Sequence, residues 1–212
     1  MASWVMHLVV AEDLLAALHG PDRPWDRGQL LLGALAPDAT TDKRVTHFKG
    51  ARYQKSDGAP FRLGQFQCEL GAHLASTDAS EAAFYAGYLS HLIADDLAAQ
   101  WLFFVGIKRA MAEDPAGRAG IYADYDVLNA FVVLRLRDAA GAADALRDAP
   151  LAEAEACPLV DAGQLGEIRR QTLEHLAAPA AGGRTRWLQP ADVDAYLERA
   201  ALRSQDAMRL WL

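Results

Sequence analysis

The chain has little cysteine, no long apolar run and no excess of positive charge. Its 212 residues include only two cysteines, Cys68 and Cys157, which form neither a close pair nor a ligand motif. We therefore expect reduced thiols and no disulfide. No stretch of about 20 uninterrupted apolar residues exists, so we expect no transmembrane helix. The net charge of −7 argues against an extended nucleic-acid-binding surface.

The N-terminus also lacks the features of a secretory signal peptide. Its first residues read MASWVMHLVVAEDLLAALHG, with His7, Glu12 and Asp13 inside the apolar stretch and no early lysine or arginine. A signal peptide begins with positive charge and continues through an uninterrupted apolar region. We therefore expect this segment to belong to the fold and the protein to be cytoplasmic.

The hydrophobic residues that are present have the spacing of helices. They make up 52% of the chain, which is ample for a core. Apolar residues recur every three or four positions nearly throughout, and no run alternates with the period of a strand. The sequence therefore predicts a single-domain, all-α multi-helix bundle over residues 1–212. Its six or seven predicted helices include 4–18, 26–35, 61–74, 78–112, 164–177 and 192–210. A further helix is predicted to begin at Asp124 or Asp126, after a break at Gly117 and Gly120, and to run to residue 146.

The most informative segment is FYAGYLSHLIADDL, residues 84–97. His91 and Asp95 are four positions apart in an otherwise apolar helix, so imidazole and carboxylate lie on one face. Such a pair can bind a transition metal. Gly87, one turn before His91, would let another backbone approach closely, whereas Asp96 points about 100 degrees away from Asp95 and cannot share its role.

Three other residues are candidates for the same site. His7 lies on the apolar stripe of the first helix, where a neutral imidazole needs a partner or a metal. Asp38 ends the phrase LLLGALAPD, and His47 lies between Val45 and Phe48 in a long loop, 38–60. Taken singly, each has an ordinary alternative interpretation: a hydrogen-bonded histidine, or an aspartate that stabilises a turn.

Four phrases together resemble a known family. SWVMHLVVAEDLL, LLLGALAPDA, VTHFK and FYAGYLSHLIADDL follow one another in the first half of the chain. Their order and separations are similar to those of the bacterial zinc-dependent phospholipases C, which are related in fold to the zinc single-strand nucleases. Beyond about residue 130 no motif matches.

The resemblance implies an all-helical enzyme that holds a cluster of metal ions between helices. By this resemblance His7, Asp38, His47, His91 and Asp95 are the metal ligands, Asp95 bridges two zinc ions, and Asp38 and Asp95 are the catalytic carboxylates. Imidazole and carboxylate are suitable ligands for zinc, and other divalent transition metals are alternatives. Two zinc ions about 3.5–4 Å apart lower the pKa of a shared water and neutralise a phosphoryl group under attack.

The chain departs from the family in two places. Secreted members bind metal through the free amine and carbonyl of an N-terminal tryptophan, whereas Trp4 is internal here. The same members bind a third zinc through His and Glu residues after the central helix, but here the next histidine is His175. Asp124 or Asp126 could substitute in part, although helix capping is the simpler interpretation. A two-metal site, or a single metal, is therefore the expectation in place of three.

We therefore expect a metal-dependent, di-zinc hydrolase in which metal-bound hydroxide attacks a phosphoester, either a phospholipid or a small phosphodiester. The alternatives are a metal-dependent tailoring enzyme of secondary metabolism on the same scaffold, and a non-catalytic helical metal-binding protein. A phosphohydrolase with an adjacent His-Asp pair is disfavoured, because Leu92 follows His91. The apolar stripe of the last helix packs on the bundle or forms a homodimer interface.

Overall fold

The structure, a computed structural model, confirms the all-α prediction. It describes residues 3–18, 24–49, 61–114, 117–177 and 183–211. Over these ranges no strand is present, and no helix is long and apolar enough to cross a membrane. The helices of the described residues are α1 (Trp4–Leu18), α2 (Arg27–Gly33), α3 (Lys43–Thr46), α4 (Leu63–Leu74), α5 (Ala79–Leu97), α6 (Phe103–Glu113), α7 (Gly117–Val133), α8 (Ala139–Asp148), α9 (Ala152–Ala156), α10 (Ala162–Ala177) and α11 (Pro190–Met208).

The predicted central helix is two helices rather than one. Asp78 caps α5 by accepting hydrogen bonds from the backbone N–H groups of Ser80 and Glu81, as its position in the sequence suggests. The α-helix then ends at Leu97, and a π-helical turn, Ala98–Leu102, leads into α6. This turn, AAQWL, contains no glycine or proline, so the sequence carries no signal of a helix break there.

The break predicted at Gly117 and Gly120 lies just before them: α6 ends at Glu113 and α7 begins at Gly117, so both glycines belong to α7. They permit close contacts: an added Cβ would lie 2.5 Å from the carbonyl oxygen of Ala110 at Gly117, and 2.7 Å from the indole Nε1 of Trp187 at Gly120. The helix also does not continue to residue 146. It ends at Val133, and α8 begins separately at Ala139.

The helix α5 is the centre of the core and crosses α2 at very short range. A Cβ added to Gly33 would lie 1.9 Å from the carbonyl oxygen of Phe84, and one added to Gly87 would lie 2.0 Å from that of Leu30. The two backbones are therefore in direct contact, which only glycine allows at these positions. This confirms the predicted role of Gly87.

The last helix packs within the chain. Its apolar stripe, the surface predicted to pack on the bundle or form a homodimer, is buried against α1 and α5. Tyr196 is fully buried and donates a hydrogen bond of 3.1 Å to the carbonyl oxygen of Ala94. The stripe is thus used inside the chain and does not form an exposed face. Its buried members are Val193, Tyr196, Leu197, Ala200, Ala201, Ser204 and Met208.

The glycine contact between α2 and α5 can be tested by unfolding measurements. We expect Gly87→Ala to lower the free energy of unfolding by about 3 kcal/mol, because the new methyl group meets backbone that cannot rotate away. Gly64→Ala is the matched control, since nothing lies within 4 Å of its added Cβ. The control should leave stability unchanged or raise it by up to about 1 kcal/mol. Equal urea midpoints for the two variants would contradict the close crossing.

Candidate metal centre

The five residues predicted to bind metal come together in one buried site. His7 is on α1, Asp38 ends a 3-10 turn after α2, and His47 directly follows α3. His91 and Asp95 lie on α5. The three histidines and Asp95 are each less than 10% exposed. Residues separated by most of the first hundred positions thus converge, and their role as metal ligands remains a prediction.

The carboxylate of Asp95 faces two histidines with its two oxygens. Its Oδ1 lies 3.5 Å from Nε2 of His7, and its Oδ2 lies 3.4 Å from Nε2 of His47. The same Oδ2 is 3.9 Å from Nε2 of His91. A carboxylate with one oxygen toward each neighbour has the geometry that a bridging ligand requires.

His91 is held in one tautomer by the end of α2. Its Nδ1 lies 2.8 Å from the carbonyl oxygen of Ala34, which can only accept a hydrogen bond. Nδ1 therefore carries the proton, and the lone pair of Nε2 points into the site. Its ring also stacks on that of His7, with centroids 3.7 Å apart and planes 9° from parallel.

His47 is oriented in a similar way by Thr46. The Thr46 hydroxyl donates its single proton to the carbonyl oxygen of Pro37 at 2.7 Å, so its oxygen accepts from Nδ1 of His47 at 3.1 Å. The Nε2 of His47 is then also a lone-pair atom, and it lies 3.2 Å from Nε2 of His91. Two lone pairs at this distance repel each other unless a cation or a proton lies between them.

Asp38 is positioned by a tryptophan and a lysine. The indole Nε1 of Trp4 donates a 3.1 Å hydrogen bond to its Oδ2, and the ammonium group of Lys43 donates to its Oδ1. That Oδ1 is also 3.7 Å from Nε2 of His47. Trp4 therefore contributes here through its side chain, by orienting a candidate ligand.

The electrostatics of the site favour ligands in their metal-binding forms. Burial, with the neighbouring His7, lowers the pKa of His91 to about 3, so this ring is neutral near pH 7. Burial raises the pKa of Asp38, but His91 and Lys43 outweigh it and the pKa falls to about 2. Burial likewise raises the pKa of Asp95, but His47 and His7 hold it well below its usual value. Both aspartates are therefore carboxylates.

The donor set fits zinc. Neither ring nitrogen of His7 makes a hydrogen bond to a described residue, although the ring is only 1% exposed. Its nearest acidic group is Asp95, whose Oδ1 lies 3.5 Å from Nε2. A buried imidazole without a hydrogen bond is costly unless it binds a metal. Two sets of three residues each bring their ligand atoms within 4.8 Å of one another, close enough to bind one ion. The first set is His7, His91 and Asp95. The second is Asp38, His47 and His91, so His91 belongs to both.

Asp96 has a different role from Asp95, as its position on the helix predicts. Its Oδ1 pairs with the ammonium group of Lys49, and its Oδ2 accepts a 2.8 Å hydrogen bond from the backbone N–H of Phe61. Lys49 and Phe61 are thus attached to α5 beside the candidate centre. Residues 50–60 of the predicted long loop, which lie between them, are outside the described part of the chain.

The structure gives no support to a third metal site at Asp124 or Asp126. Asp124 is buried in α7 and accepts backbone hydrogen bonds of 2.8, 2.6 and 2.9 Å from Arg186, Trp187 and Leu188. It anchors the segment before α11, so neither metal binding nor helix capping describes it. Asp126 is exposed on the same helix. Neither aspartate belongs to a potential metal-binding group of the described residues.

Sequence reasoning missed the groups that orient the ligands. Thr46, Trp4 and Lys43 hold His47 and Asp38, and a main-chain carbonyl holds His91. The adjacency of Thr46 to His47 was a weak signal. The other contacts depend on how the helices cross and have no local pattern.

Residues 6–97 match a protein-family model described as zinc dependent phospholipase C. This range contains all five candidate ligands and ends at the last residue of α5. No curated protein and no solved structure matches the chain. The first half of the chain is therefore similar to the zinc-dependent phospholipase C family, which confirms the resemblance that its four phrases predicted.

Proposed function

We propose that the protein is a di-zinc phosphoesterase, with phospholipids or small phosphodiesters as its substrate class. One observation carries this proposal: Asp95 directs Oδ1 toward His7 at 3.5 Å and Oδ2 toward His47 at 3.4 Å. A buried carboxylate between two imidazoles is well suited to bridging two cations. The similarity to zinc-dependent phospholipases C over residues 6–97 supports the same conclusion.

The ligands divide between two ions in this proposal. His7 and Asp95 would hold one ion, and Asp38, His47 and Asp95 would hold the other. His91 would add a ligand to only one of them, because its Nδ1 is engaged by Ala34. Five ligands for two ions leave coordination positions for water and substrate, as catalytic zinc sites require.

The protein's own side chains prepare the site for phosphoester hydrolysis. Bound zinc supplies an activated water and neutralises charge on the phosphoryl group. Asp38 and Asp95 keep their carboxylates ionised, and Trp4 and Lys43 hold Asp38 in place. The lysine also adds positive charge at the edge of the site, where an anionic substrate would approach.

A cavity favours an enzyme over a closed structural metal site. It has a volume of about 250 Å³ and includes Asp38 and Lys43 in its lining. A structural zinc site is enclosed by its protein ligands, whereas a catalytic site needs access for substrate. Of the five candidate ligands, Asp38 is the one in the lining, so the cavity supports access to the centre from the side of Asp38.

Metal analysis of the purified protein tests the division of ligands. We expect about two zinc ions per chain in the wild type, about one in His7→Ala and none in Asp95→Ala, because only Asp95 contacts both positions. His73→Ala is the control, since His73 pairs with Glu81 outside the centre. Full zinc content in Asp95→Ala would contradict the proposal.

The hydroxyl of Thr46 gives a test of ligand orientation. We expect Thr46→Val to weaken zinc binding about 10- to 100-fold, because His47 loses the acceptor that fixes its tautomer. Competition with a chelator of known affinity measures this change. Ser204→Ala is a matched control, because it removes another buried hydroxyl that bonds a main-chain carbonyl. Equal zinc affinities of Thr46→Val and the wild type would contradict the assigned tautomer.

Activity is tested with zinc-loaded protein on bis-p-nitrophenyl phosphate, p-nitrophenyl phosphate and phosphatidylcholine. We expect hydrolysis of at least one phosphodiester, and a loss of about 100-fold or more in kcat/KM for Asp38→Asn, which weakens a charged ligand. Glu113→Gln, at the exposed end of α6, controls for loss of a surface charge. Bound zinc with no hydrolysis of any ester would instead favour the tailoring or non-catalytic alternatives.

A further inference from the structure

The cavity beside the candidate metal centre carries one permanent positive charge in its lining. Among the described residues that line it, Lys43 is the only lysine or arginine, and Asp38 is the only one of the five candidate ligands. Trp4 and Val5 contribute apolar surface to the same cavity. An anionic group inside the cavity would therefore find its positive charge at Lys43, directly beside Asp38.

The ammonium group of Lys43 keeps hydrogen-bonding capacity for a ligand. It donates to Oδ1 of Asp38, which is its one acceptor within the described ranges. An ammonium group has three N–H donors, so two remain. The side chain of Lys43 is 41% exposed, whereas that of Asp38 is 9% exposed. The remaining donors thus belong to a side chain that solvent, and therefore a substrate, can reach.

Two other cations of this region are engaged by other carboxylates. Arg44, the next residue, donates from Nε and Nη2 to the two oxygens of Asp42 at 2.9 and 2.7 Å. Lys49 pairs with Asp96, and its side chain is only 7% exposed. Neither residue belongs to the lining of the cavity. Lys43 is therefore the cation that is placed to meet a ligand there.

The pair between Lys43 and Asp38 also determines the charge that a substrate meets. Asp38 and Asp95 are both ionised, and a phosphodiester is an anion as well, so like charges oppose its approach. Lys43 offsets the carboxylate on the cavity side with one N–H group. Its other N–H groups can donate charge-assisted hydrogen bonds to an oxygen of the phosphoryl group. A neutral ester lacks the negative charge that strengthens this contact.

We propose that Lys43 contacts a phosphoryl oxygen of the substrate and selects anionic phosphoesters over neutral esters. The lysine remains paired with Asp38 while it does so. This inference rests on the proposed phosphoesterase function, which places the phosphoryl group at the metal centre. It adds to the five candidate ligands a residue that binds the substrate and not the metal.

The kinetic test compares bis-p-nitrophenyl phosphate, a monoanion, with its neutral methyl triester. We expect Lys43→Met to lower kcat/KM of the zinc-loaded protein about tenfold or more for the monoanion, the effect of one hydrogen bond to a charged group, and less than twofold for the triester. Lys43→Arg should retain most of the preference for the monoanion, since it keeps the charge and its donors.

The matched control is Arg44→Met, which removes the neighbouring positive charge outside the cavity lining. It should leave the ratio of the two kcat/KM values unchanged. If Lys43 served only to hold Asp38, Lys43→Met would reduce hydrolysis of both esters to the same extent. That result, or a loss of zinc from Lys43→Met, would overturn the proposed contact.

A binding measurement separates this contact from the activity. Calorimetry with inorganic phosphate on the zinc-loaded full chain should show about tenfold weaker binding in Lys43→Met and unchanged binding in Arg44→Met. If neither ester is hydrolysed but phosphate binding depends on Lys43, the phosphoesterase proposal fails and the anion contact stands. If esters are hydrolysed and Lys43→Met equals the wild type in both measurements, the contact is overturned and the phosphoesterase stands.

Discussion

The contact between the backbones of α2 and α5 is the constraint on which the candidate metal centre depends. Gly33 and Gly87 allow the two helices to touch. The first free carbonyl groups at the end of α2 then face α5, and that of Ala34 accepts the proton of His91 Nδ1 at 2.8 Å. A helix end leaves such carbonyls without helical partners. One contact thus satisfies a backbone group and directs the other ring nitrogen of His91 into the site.

A second main-chain carbonyl near the end of α2, that of Pro37, orients His47 through Thr46. The turn after α2 contains Pro37, whose carbonyl oxygen accepts the Thr46 proton, and Thr46 in turn accepts from His47. The histidines of two separate segments are therefore fixed by main-chain oxygens of one turn. This arrangement makes the orientation of His47 and His91 a property of the fold and leaves little freedom to the rings.

Burial of these groups is costly without a compensating charge. His7 has no hydrogen-bond partner among the described residues, and the Nε2 atoms of His47 and His91 face each other at 3.2 Å. Asp38 and Asp95 add two negative charges, of which Lys43 offsets one. A cation in the space between them would resolve the repulsion, satisfy His7 and balance the carboxylates, which is the physical basis for the proposed zinc site.

The sequence predicted those parts of the molecule that follow from local pattern. The helical spacing of apolar residues predicted the all-α class. The separation of four positions predicted that His91 and Asp95 share a helix face, and the missing side chain of Gly87 predicted a close backbone contact there. The π turn after Leu97, the anchoring role of Asp124 and the glycines within α7 could not be predicted, because each depends on contacts with distant segments.

The central claim is that five side chains from three segments bind metal at one position in the fold. A crystal structure of the zinc-loaded protein, with anomalous differences measured at the zinc edge, tests it most directly. The account predicts two anomalous peaks about 3.5–4 Å apart, on either side of the Asp95 carboxylate and within bonding distance of His7 and His47. Zinc bound elsewhere, or no ordered zinc between these residues, would contradict it.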